Sequence, residues 1–87
     1  MLYKSIQIYR RVGEGEARVY RCFELLPGHH FVVQSADRIR LPLRREILQQ
    51  HEDQFWELFC ETAPEERGPS YPSLEEAIAA FDAEFGL

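Results

Sequence analysis

Two cysteines in 87 residues, Cys22 and Cys60, are too few for a disulfide framework. Two reduced thiols are the expectation. No apolar run approaches the ~20 residues of a membrane span. Met1–Gln7 has no apolar stretch of leader length, so a cytoplasmic protein is expected. Lysine occurs once, at Lys4, and no basic tract of the nucleic-acid-binding kind is present. There is no internal repeat and no low-complexity segment. What is present is ordinary for one folded domain: 45% hydrophobic and 29% charged residues, which argues against disorder. A chain of this length buries roughly 60–65% of its unfolded surface, enough for one core with little margin.

The net charge of −5 hides a split. Residues 1–45 hold nine Lys and Arg against four acids, and residues 46–87 hold one base, Arg67, against eleven acids. A basic half can mark a polyanion-binding surface. Equally, a basic sheet and acidic helices can attract each other within the fold.

The patterning starts with period two. In residues 2–12, Leu2, Ile6, Ile8 and Val12 share one parity, and Tyr3, Ser5, Gln7, Tyr9 and Arg11 the other, which predicts a strand with its even face toward a core. Gly13-Glu14-Gly15-Glu16 then makes a hairpin turn. A second strand is predicted over 17–26 with Val19, Phe23 and Leu25 on the core face. Arg21 falls on that same face and needs a partner, from a strand edge or a helix acid, or a route to water. Pro27-Gly28 signals a tight turn, and a third strand follows to Ser35 or Ala36. Matching the apolar residues puts Leu25 opposite Phe31 and Phe23 opposite Val33, across a three-residue loop, Pro27-Gly28-His29. The turn chemistry alone also allows Leu25 opposite His30. Asp37–Pro42 alternates charged and apolar residues and fits a short edge strand.

Periodicity then changes. From Leu43 to about Thr62, the spacing of Ile47, His51, Phe55, Leu58, Phe59 and Thr62 predicts an amphipathic helix, with Trp56 off the stripe. Residues 63–72 hold three prolines and a glycine, a long connection with Tyr71 as its anchor. Ser73-Leu74-Glu75-Glu76 is a capping box, and Leu74, Ala77, Ile78, Phe81 and Phe85 form the stripe of a last helix that Gly86 ends. The fold class expected is α+β: a three-stranded antiparallel β-meander followed by two α-helices packed on one face of the sheet, a single small domain over 1–87.

Few residue sets suggest chemistry. His29-His30 with Cys22, Cys60 or His51 lacks the paired short spacing of a structural zinc site. Cys60 comes late in a helix, where the dipole disfavours a thiolate. Gly13-x-Gly15 lacks the rest of a phosphate-binding fingerprint. No catalytic residue, metal ligand or cofactor is therefore expected. The functional hint is the tyrosine and arginine content of the strands. Tyr3, Tyr9, Arg11, Arg18, Tyr20, Val32, Arg38 and Arg40 form the expected interaction surface on the outer sheet face or its edge. The function expected is a non-enzymatic interaction or accessory module, its partner another protein or a second copy in a homodimer. The alternative is a nucleic-acid-binding domain using the same residues.

Overall fold

A computed structural model describes every residue from Met1 to Leu87. Three antiparallel strands, β1 (Leu2–Gly13), β2 (Glu16–Leu26) and β3 (His30–Arg40), form one open sheet in chain order. They are followed by α1 (Arg45–Glu61), a single helical turn α2 (Pro64–Arg67) and α3 (Leu74–Phe85). The β-β-β-α-α order is the one the patterning predicts. Residues 37–40 finish β3 and are not a fourth strand.

The helices, however, divide between the two faces of the sheet instead of sharing one. Phe55 of α1 packs with Phe23, Leu25 and Val32. Ile78 of α3 packs on Tyr20 and Cys22. Neighbours along a strand point to opposite faces, so the sheet is the middle layer of three. The reason lies in register. Ile6 pairs with Cys22 and Ile8 with Tyr20, so residues of like parity share a face across β1 and β2. The apolar even set of β1 and the apolar odd set of β2 therefore belong to different faces. Two small cores result. β2, in the middle, is buried without interruption from Val19 to Phe23, as expected of a strand covered on both sides.

The β2–β3 turn corrects the expected register. Leu25 lies opposite His30 and Phe23 opposite Val32. The chain turns through Gly28 at φ +116° and His29 at φ +52°, and the His29 amide donates to the Leu25 carbonyl at 3.0 Å. The apolar match discriminates between registers only if one face is covered. With both covered, Val32 is buried on the α1 side and Val33 packs on the α3 side. A β-bulge then places Gln34 as an extra residue between Val33, opposite Cys22, and Ser35, opposite Arg21. The Gln34 side-chain amide donates to the Phe55 carbonyl at 3.2 Å and so ties the bulge to α1.

The α1 side is built on aromatics. Phe23 stacks on Phe59 at 4.9 Å and on Phe55 at 5.7 Å between ring centres, and Tyr3 meets Phe23 edge-on at 6.0 Å. Such pairs add about 0.5–1.5 kcal/mol each beyond the area they bury. Next to them lies Arg21, only 8% exposed. Its partner comes from both sources expected: Nε donates to Asp37 Oδ2 at 2.6 Å on β3, and Nη1 lies 3.7 Å from Glu52 of α1. The guanidinium also sits over the Phe55 ring, 5.7 Å from its centre.

The connection from 62 to 73 is held at several points. Pro64 starts α2 and is buried. Arg67 donates to the Leu58 carbonyl at 2.9 Å. Tyr71 is an anchor through its backbone, exchanging two 2.8 Å hydrogen bonds with Phe31 on the outer edge of β3. At the start of α3 the Ser73 hydroxyl accepts from the Glu76 amide at 3.2 Å and donates to the Glu76 carboxylate at 3.1 Å. Gly86 ends the helix in the left-handed region at φ +69°.

Candidate functional site

The residues expected to form one surface are scattered by the three-layer arrangement. Tyr20 is fully buried and Val32 is 2% exposed. Neither is available to a partner, because each lies on the central or neighbouring strand beneath a helix. The Tyr20 hydroxyl instead donates to Asp82 of α3 at 2.7 Å. Tyr3 is half-buried, its hydroxyl shared between the two Glu65 oxygens at 2.7 and 2.8 Å. That hydrogen bond, with burial, pushes the Tyr3 phenol up to about 12. The remaining five fall on two different faces. Tyr9 and Arg11 are exposed on the α1 side of β1, where Tyr9 donates to Gln7 at 2.9 Å. Arg18, Arg38 and Arg40 lie on the α3 side.

On that second side the register produces an unusual row. Arg10 is directly opposite Arg18, and Arg18 directly opposite Arg38. Like charges so placed on adjacent strands repel. Carboxylates at the two ends relieve the row. Arg10 donates to Asp82 at 2.8 Å and lies over the Tyr20 ring. Arg38 and Arg40 both grip Glu16, at 3.0 and 2.9 Å. Arg18 in the middle has no carboxylate within ion-pair distance; its one hydrogen bond is a 3.5 Å contact to the Tyr20 hydroxyl. The electrostatics follow. The hydrogen bonds from Arg38 and Arg40 lower the Glu16 carboxyl below its ordinary value. Burial raises Asp82, but the Tyr20 hydroxyl and Arg10 outweigh it and leave the carboxyl lowered.

Arg11, Arg44 and Arg45 belong to the same end of the molecule, where β1 ends, β2 starts, β3 ends and α1 begins. Glu14, Glu16 and Glu46 belong to that end too, so the charge split along the sequence is blurred in space. It is partly neutralised by sheet-to-helix pairs, Arg10–Asp82 and Arg21–Glu52.

Three features are left open; a sheet edge is among the surfaces expected from the sequence, and the other two are not. The first is the edge of β1. All twelve of its residues lie at the border of the sheet, and nothing pairs with its outer side, whereas Tyr71 covers part of the β3 edge. The second is Trp56, 53% exposed, which overhangs β1. Together with Tyr3, Ser5, Gln7, Glu52 and Phe59 it walls a groove of about 270 Å³ floored by Phe23 and Phe55. The third is the stretch from Leu41 to Gln50, the lead into α1 and its first turns, exposed throughout although it carries Leu41, Leu43, Ile47 and Leu48. Helical spacing puts Ile47, alone of these, on the expected buried stripe. The stripe meets the sheet only from Phe55 onward, through Phe55 and Phe59.

Cys22 is fully buried, and burial pushes its thiol up to about 12, so it carries no thiolate at neutral pH. Cys60 is exposed, and both cysteines are free. No three His, Cys, Asp or Glu side chains converge in a way that could hold a metal ion. No helix is long and apolar enough to cross a membrane. No protein-family model, curated protein or solved structure matches the chain.

Proposed function

We propose that the protein is a non-enzymatic interaction module that accepts an extended, acidic segment of a partner protein along the free edge of β1. The observation that carries this reading is the unpaired twelve-residue edge. An unpaired edge presents a row of backbone donors and acceptors ready for another strand. The edge also selects by charge. Between Leu2 and Gly13 there is no acid, and Lys4 and Arg11 are in no ion pair, while Arg10 is held by Asp82. A second copy is less suited, since antiparallel self-pairing of residues 2–12 over their whole length sets Lys4 against Arg10 twice. An added strand would lay side chains beside Ser5, Gln7 and Tyr9, under Trp56, and so cover aromatic surface that is now wet.

Trp56 is the single tryptophan and reports directly on this event. A ten-residue peptide of alternating glutamate and valine should change Trp56 fluorescence and slow hydrogen exchange of β1 amides. A peptide of alternating lysine and valine should not. Lys4→Glu with Arg11→Glu should weaken the glutamate peptide without altering the fold. If the peptide leaves both Trp56 and the β1 amides unchanged at low salt, the reading fails.

A second reading rests on the Arg10–Arg18–Arg38 row. Three guanidiniums abreast across a sheet can track a nucleic-acid backbone. It predicts binding of an oligothymidylate that weakens steeply between 50 and 200 mM salt. No binding at low salt rejects it.

A further inference from the structure

The exposed start of α1 forms a groove with the end of β3. It is about 340 Å³ in volume, and Ile39, Leu41, Leu43, Ile47 and Leu48 line it. Leu41 is 67% and Leu43 57% exposed, an amount of open apolar surface that folding alone would have removed. Its shape is held from two sides. The Leu41 amide donates to the Gly15 carbonyl at 2.9 Å, and the Leu48 amide to the Arg44 carbonyl at 3.1 Å. Three arginines, Arg38, Arg40 and Arg44, complete the lining. Glu16 answers the first two, and no carboxylate answers Arg44.

We propose that this groove binds an aliphatic carboxylate, its chain on the leucine and isoleucine floor and its head group at Arg40 and Arg44. The combination defines the ligand. An apolar floor favours an alkyl chain by area alone. A rim of guanidiniums favours an anionic head, carboxylate oxygens matching the planar fork of N–H donors. The volume is at the small end of ligand sites, suited to one short chain. The same rim argues against a second copy as occupant. A two-fold contact is self-complementary, and the lining holds no acid, so groove on groove brings the unanswered Arg44 of each copy to a surface with no carboxylate to receive it. The site lies at the opposite end of α1 from Trp56, so it is independent of the β1 edge.

The test is a titration of the whole protein with hexanoate, octanoate and decanoate, followed by backbone amide NMR. Saturable shifts should appear at Leu41, Leu43, Ile47 and Leu48. Affinity should rise up to about fourfold for each added methylene that the groove buries. Octanol and octylamine keep the chain and change the head, and both should bind more weakly. Arg44→Gln should cost octanoate roughly tenfold while leaving octanol unchanged, its amide spectrum otherwise unaltered. Ile47→Asp should abolish both. The proposal is overturned if octanol binds as well as octanoate, or if the shifts fall at Trp56 instead. It is also overturned if Leu41 and Ile47 amides respond to protein concentration through dimerisation, or to vesicles containing anionic lipid but not to decanoate.

Discussion

The two faces of this sheet are covered by different means. On the α3 side, a short helix packs squarely over Tyr20 and Cys22, and a hydroxyl–carboxylate–guanidinium chain, Tyr20 to Asp82 to Arg10, fastens its far end. On the α1 side, a longer helix closes only its second half over Phe23, Leu25 and Val32. Its first turns stand clear, and Trp56 walls an open groove over β1. The α1 side is therefore left with a groove at each end, and the α3 side with one that runs along α3 between Val33 and Phe81. A helix that is amphipathic over five turns but packed over fewer leaves apolar surface wherever packing stops. Open surface on a small domain thus follows from the mismatch in length between helix and sheet as much as from composition.

The largest break in this comparison should come from Phe23→Ala. It removes the floor shared by Phe55, Phe59 and Tyr3 and should cost about 4 kcal/mol in denaturant unfolding. Next is Arg21→Leu, at about 3 kcal/mol, since it leaves Asp37 buried and unpaired. A double variant with Asp37→Leu should recover much of that loss; if the single variant gains stability, the buried pair is not holding the two layers. Tyr20→Phe probes the α3 side and should cost about 1.5–3 kcal/mol, the worth of a hydrogen bond to a charged group. It also carries a pH signature. Asp82 is lowered in the folded protein, so its contribution is present above its ordinary value of 3.8 and is lost as pH falls through the lower folded value. Tyr20→Phe should flatten that acid slope, as an acid titration monitored by circular dichroism would show. The smallest effect belongs to Trp56→Ala, within about 0.5 kcal/mol of wild type, although it should abolish binding along the β1 edge. A large stability loss there would mean that the α1 side is more closed than its exposure implies.

Much of this fold is legible in the residues. Period two marked three strands, the glycines marked the first hairpin, and Ser73 to Gly86 marked α3 with both of its caps. Arg21 on an apolar face demanded an acid, and Asp37 and Glu52 supply two. The layer count was harder to read. Ile6 and Ile8 on one parity and Phe23 and Leu25 on the other each look like a single core face when a strand is taken alone. Only their pairing reveals that they oppose each other. The surface suffered for the same reason. Tyr20 was read as outward because its neighbours Val19 and Phe23 are inward, which holds only if one side is covered. Exposure at Leu41, Leu43 and Ile47 depends on where a helix stops meeting a sheet, a tertiary distance that no local spacing carries.

Gln34 shows how much one residue can decide. Were the ladder of Cys22 with Val33 to continue unbroken, Asp37 would fall opposite Arg18 and Arg21 would face Gln34. The exposed row of arginines would then be an ordinary ion pair, and the buried guanidinium would have lost its carboxylate. The bulge shifts β3 by half a pleat and moves one negative charge from the outside of the molecule to the inside. In mutational terms position 34 is a phase switch. Deleting it should do more damage than deleting a residue from either end of the strand, because every side chain from Ser35 to Arg40 would exchange faces at once.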